Sequence, residues 1–88
     1  METRNQKSLS ALGAERGSFD VVVNKAGNHC AIFDDGTVVY ISAKAWELMQ
    51  SSQDATDFQY AEIKCDDGSW CPTIMPRNKA NVLLHFSL

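Results

Sequence analysis

The sequence predicts an α+β fold: a three-stranded antiparallel meander, one short helix, a second hairpin and a C-terminal strand. That makes five to six strands, in one sheet or two small sheets. Three observations lead there. Two Asp-Asp-Gly triplets, 34–36 and 66–68, each sit between runs rich in apolar and β-favouring residues, which is a hairpin signal. The run 43–52, AKAWELMQSS, carries helix formers with helical spacing. The two strands of the first of those hairpins are apolar at nearly every position.

In chain order, residues 1–17 form an N-terminal tail or a short helix, and residues 18–88 a single α+β domain. Leu9 and Leu12, three apart, can start an amphipathic turn ending at Gly17, although Gly13 weakens it. Residues 18–25 alternate Phe19, Val21 and Val23 against Asp20, Val22 and Asn24, as a strand does. If Gly27-Asn28 closes a tight turn, Val23 faces Ile32 and Lys25 faces Cys30.

The stretch 29–42, HCAIFDDGTVVYIS, is the centre of the fold. A two-residue type I′ turn at Asp35-Gly36 sets Phe33 against Val38, Ile32 against Val39, Ala31 against Tyr40 and Cys30 against Ile41. One face then holds Cys30, Ile32, Val39 and Ile41. The other holds Ala31, Phe33, Val38 and Tyr40, with Val22 beside them. Both faces are apolar, so this hairpin is covered on both sides or keeps one face for a partner.

Ser42 is a suitable N-cap for the helix over 43–52, whose stripe is Ala45, Leu48, Met49 and Ser52 with Trp46 alongside. Residues 50–57 are a polar loop in which Asp54 or Asp57 can cap a further turn. The second hairpin joins 58–66 to 69–75 around Asp67-Gly68. In its expected register Cys65 faces Trp70, Ile63 faces Pro72 and Ala61 faces Ile74. Pro72 lacks an amide donor, which assigns its strand to a sheet edge or a bulge. After a turn at 76–79, residues 80–88 alternate as a core strand.

Composition narrows the function. An 88-residue chain with 44% apolar and 22% charged residues is sized for one folded domain. A net charge of −3 argues against direct nucleic-acid binding and against anionic membranes. No apolar run is long enough to span a bilayer, and no leader pattern opens the chain, so a cytoplasmic protein is expected. Three cysteines is an odd count, which fits a reducing compartment.

No motif carries chemistry. His29, Cys30, Cys65, Cys71 and His85 lack the close pairing of a zinc site, so no metal and no cofactor is expected. Cys65 and Cys71 fall on opposite faces in the expected register, which speaks against a disulfide. A Cys–His nucleophile has the residue types but no glycine-rich nucleophile turn, so no catalytic residue is assigned and the chain is expected not to be an enzyme. Asp34, Asp35, Asp66 and Asp67 at the two turn tips are ordinary turn residues, or else an acidic surface for a basic partner. Phe33 and Tyr40 on the surplus face, and Trp70 beside an acidic tip, are the candidate aromatic anchors.

The expected function is a non-catalytic protein-binding module. It occupies a surface of a larger protein, such as a nucleic-acid-handling machine with a basic surface, through acidic tips and aromatic residues. Inhibitors from phage and mobile elements, anti-CRISPR proteins among them, belong to this size and charge class. The alternatives are a homo-oligomeric structural subunit, a homodimer through the Phe33/Tyr40 face or an edge strand, and a small thiol- or metal-dependent enzyme.

Overall fold

A computed structural model describes residues 2–51 and 54–77. Among the described residues the fold is α+β, with one six-stranded sheet and two helices. The strands are β1 (Thr3–Ser8), β2 (Phe19–Val23), β3 (His29–Phe33), β4 (Val38–Ile41), β5 (Phe58–Lys64) and β6 (Trp70–Pro76). The helices are α1 (Leu9–Arg16) and α2 (Ala43–Ser51). Strand order across the sheet is β1-β5-β6-β4-β3-β2. The expected meander is β2-β3-β4 and the expected second hairpin is β5-β6. Residues 80–88, expected as a last strand, lie outside the described residues, as does His85.

Two elements were not legible as such. TRNQKS shows no apolar alternation, yet it pairs with β5 from Thr3↔Ile63 to Ser8↔Gln59 as an edge strand. The β4–β6 contact is parallel and short, with Tyr40 opposite Thr73 and Ile41 opposite Ile74. This seats β6 inside the sheet and corrects the edge placement expected from Pro72. The Cys65 amide bonds the Ser69 carbonyl, so by alternation Cys71, Thr73 and Met75 exchange bonds with β5. The Pro72 nitrogen therefore faces β4, whose pairing starts one residue later at Thr73. The missing donor falls where the parallel ladder has not yet begun.

Helix α1 is the turn read from Leu9 and Leu12. The Ser8 hydroxyl accepts from the Ala11 amide at its start, and Gly17 ends it in the left-handed region, donating to the Gly13 carbonyl. Helix α2 starts from Ser42, whose hydroxyl accepts from the Ala45 amide at 3.1 Å. Asp54 caps a single 3-10 turn, Ala55–Asp57, accepting from the Thr56 amide.

Both helices lie on one face of the sheet. Leu12 of α1 and Ala45 of α2 share a buried cluster with Ala31, Phe33, Val39, Ile41, Phe58, Tyr60 and Ile74. Leu9, Phe19, Trp46, Leu48 and Met49 pack around it. Each large apolar side chain buried there contributes about 1.5–3 kcal/mol, so this face holds most of the stability.

The register of the central hairpin differs by one residue from the expected one. Cys30 faces Tyr40, Ala31 faces Val39 and Ile32 faces Val38. The loop holds three residues, Asp34, Asp35 and Gly36. The Gly36 amide bonds the Phe33 carbonyl and Gly36 adopts φ 89°, a type I turn followed by a left-handed bulge residue. The slip re-sorts the faces. Ala31 and Phe33 move to the core with Val39 and Ile41, and Ile32 moves out to join Val38 and Tyr40. The β2–β3 register shifts too: Val23 faces His29 and Val21 faces Ala31, because the turn between them is longer than Gly27-Asn28 alone.

Candidate functional site

The parallel β4–β6 contact fixes the geometry of the candidate surface. Each of these strands follows directly on an Asp-Asp-Gly turn, so both turns project from the same end of the sheet. The two hairpins are neighbours in the strand order, which puts their tips roughly 10 Å apart, two strand spacings. Asp34, Asp35, Asp66 and Asp67 are thus brought together at one end, all exposed. Asp20, opposite Ile32 and also exposed, flanks them on the open face.

Three of these carboxylates also shape the backbone. Asp34 Oδ2 accepts from the Ser18 amide at 2.8 Å and ties the α1–β2 corner to the hairpin tip. Asp35 Oδ1 accepts from the Thr37 hydroxyl and amide, and Asp67 Oδ1 from the Ser69 hydroxyl and amide. The Thr37 hydroxyl, then its amide, hold the Asp35 carboxyl below the ordinary aspartate value. Ser69 does the same for Asp67. Arg16, at the C-terminal end of α1, adds a weaker attraction on Asp35.

The aromatic anchors divide. Phe33 is only 3% exposed and packs against Phe19 with ring centroids 5.2 Å apart. It is a core residue, and its expected role as an anchor is corrected by the three-residue turn. Tyr40 is 42% exposed and stays a candidate. Around it on the same face stand Val22, Ile32 and Val38, the last half exposed. None of the described helices covers this face. Ile32 was missed because the expected register placed it inward. Trp70 is half-buried, with the Arg4 guanidinium 4.3 Å and the Lys64 ammonium 5.8 Å from a ring centroid. Its expected place beside an acidic tip holds, but cations already occupy its ring.

The second Asp-Asp-Gly turn repeats the one-residue slip of the first. Lys64 faces Trp70 and Ile63 faces Cys71, so Cys65 and Cys71 share a face and are joined in a disulfide. This corrects the sequence reading that separated them. Their Cα atoms are 6.3 Å apart, within the range for a bridge. Cys30 remains a buried free thiol. With two of three cysteines joined, the odd count no longer argues for a reducing compartment.

His29, the other described residue weighed for chemistry, has a structural partner. His29 stacks on Trp46 of α2, with centroids 4.1 Å apart and planes 15° from parallel. Among the described residues, no three His, Cys, Asp or Glu side chains gather as a metal set. Among them, too, no buried side-chain polar atom lacks a hydrogen-bond partner. An apolar surface groove of about 310 Å³ runs between α1 and β2, lined by Leu9, Gly13, Phe19, Phe33 and Ala55 among others. None of its described lining residues is titratable. No helix among the described residues is long and apolar enough to cross a membrane. No family model, curated protein or solved structure matches the chain.

Proposed function

We propose that this protein is a non-catalytic binding module that occupies a basic surface of a larger protein. The observation that carries the reading is the shared direction of β4 and β6. It sets two acidic turn tips side by side, next to an exposed apolar surface of Val22, Ile32, Val38 and Tyr40. An aromatic and aliphatic patch rimmed by charge is the usual anatomy of a protein interface. Acidic tips would steer the approach of an Arg/Lys-rich partner, and the apolar face would supply contact area. A nucleic-acid-handling enzyme, blocked as phage and mobile-element inhibitors block theirs, is the partner class with such a surface. The proposal does not depend on compartment: it holds in the cytoplasm expected from composition and in an oxidising setting, where Cys65–Cys71 persists.

The test is capture from nuclease-treated lysate of the source cells and of cells that would carry its target. The bait is the wild-type chain beside two folded variants, Tyr40→Ser and Asp66→Lys. The expected result is one dominant partner that both variants lose, with capture by the wild type weakening as salt rises. Retention of the same partner by both variants would remove the proposed surface. Absence of any stoichiometric partner would remove the binding-module reading.

A further inference from the structure

The two edges of the sheet are built differently, and the difference points to a specific partner for one of them. Edge strands expose unpaired amides and carbonyls, which template pairing with another strand unless something blunts them. Strand β1 is blunted. Its register with β5 is interrupted between Arg4 and Lys7, Asn5 takes a positive φ of 53°, and both flanking residues are cationic. Strand β2 has none of these devices. It is FDVVV, regular against β3 from Phe19↔Phe33 to Val23↔His29, with no bulge, lysine or proline. Val21, Val22 and Val23 are all exposed, Val23 by 60%.

Hydrogen bonding shows which backbone groups are left over. The Asn24 amide bonds the Asn28 carbonyl, and the Asp34 amide bonds the Ser18 carbonyl. Even-numbered residues therefore face β3. The amides and carbonyls of Phe19, Val21 and Val23 point away from the sheet, and no described strand pairs with them.

We propose that β2 pairs antiparallel with β2 of a second copy of this chain, across a two-fold axis at Val22, joining the two sheets into one. In this register Val21 and Val23 of each copy exchange backbone hydrogen bonds with Val23 and Val21 of the other. Val22 meets Val22 on the open face, beside Cys30 and Tyr40 of each copy. Asp20, the one charge in the strand, falls opposite Asn24 and meets no acid. A shift of four residues toward the N-terminus sets Asp20 against Asp20, which is disfavoured. The edge is thus its own complement, as an isologous contact must be. A foreign strand is not specified by anything in β2, whereas a second copy is. This dimer stands independently of the binding role proposed above.

The contact is short, so the dimer forms as concentration rises. Sedimentation velocity on the full chain from roughly 10 μM to 1 mM, the range of weak association, is expected to show monomer giving way to dimer. Amide exchange at Val21 and Val23 slows over the same range. Val22→Lys is an exposed change that leaves the circular dichroism intact, sets like charges together at the axis and abolishes the dimer. A strict monomer throughout overturns the proposal. So does a monomer whose Val21 and Val23 amides are already protected, since another segment of the same chain would then hold the edge. A dimer that survives Val22→Lys, or that is lost in Val38→Lys, which alters the open face and not the edge, also overturns it.

Discussion

Reducing the Cys65–Cys71 bond should destabilise the protein by an amount set by the loop it closes. The two cysteines are six residues apart in sequence. Loop-closure entropy for a ring of that size gives about 2 kcal/mol at 25 °C. In a domain of this length each kcal/mol moves the melting temperature by about 4–8 °C, so reduction is expected to lower it by about 8–16 °C. The buried Cys30 thiol is untouched by reductant, which isolates the effect to the second hairpin.

The assay has two parts. Thiol titration in denaturant is expected to count one reactive thiol before reduction and three after it. Thermal unfolding is then compared with and without reductant, and with the Cys65→Ser/Cys71→Ser variant, which should match the reduced wild type. Three thiols in protein prepared without reductant would show that the bond does not form and that it contributes nothing to stability. One thiol, but an unchanged melting temperature on reduction, would refute the loop-closure argument: the turn and its Asp67–Ser69 bonds would then hold the hairpin unaided.

Two further predictions concern the first hairpin and its neighbour. Gly13→Ala should stabilise by about 0.5–1 kcal/mol, because it lies inside α1 and a Cβ there meets nothing within 4 Å. Gly17→Ala should destabilise by about 1–3 kcal/mol, because φ 88° with ψ −159° is a glycine-only conformation and the new Cβ would lie 2.5 Å from Asp34 Oδ2. Urea unfolding of the two variants checks the opposite signs, and a shift in the same direction would contradict the backbone reading. Carboxyl NMR titration should place Asp35 and Asp67 below the free aspartate value, with Thr37→Ala returning Asp35 toward it. The folded value is the lowered one, so this contribution to stability is complete above the unfolded value of about 3.9 and is lost as pH falls through the folded value. An unshifted Asp35 in the wild type would deny the Thr37 contacts an electrostatic role.

Much of the fold was legible because it depends on local chemistry. Ser42 before a helix-forming run, Gly17 after Leu9 and Leu12, and two Asp-Asp-Gly triplets between β-rich runs each act within a few residues. What was not legible depends on distant partners. TRNQKS becomes a strand because β5 offers it an edge, and its own pattern says nothing of this. The parallel contact of β4 with β6 decides where the acidic tips meet, and no residue in either strand signals it. The β2–β3 error comes from a turn longer than Gly27-Asn28, and the errors within the two hairpins trace to a single residue in each turn. The sequence predicts a two-residue turn at each Asp-Asp-Gly, and each is a three-residue turn with glycine in the left-handed region. The signal was present in both: a second aspartate before the glycine, and a Thr or Ser two residues beyond that second aspartate to bond its side chain.

That single residue matters because the central hairpin cannot choose its own register. Residues 30–33 and 38–41 are apolar at every position, so patterning leaves both pairings available. A hairpin with one polar face would reject the wrong register by burying charge; this one would not. The choice falls to the turn, where Asp35 bonds Thr37 and Asp34 bonds Ser18. These aspartates therefore act first as register pins: they put Phe33 in the core and leave Ile32, Val38 and Tyr40 outside. The same is true of Asp67 and Ser69, whose turn brings Cys65 over Cys71. The acidic character of this end of the sheet follows from how the hairpins are set. A partner that reads the acidic tips would be reading the same groups that determine which apolar face it meets.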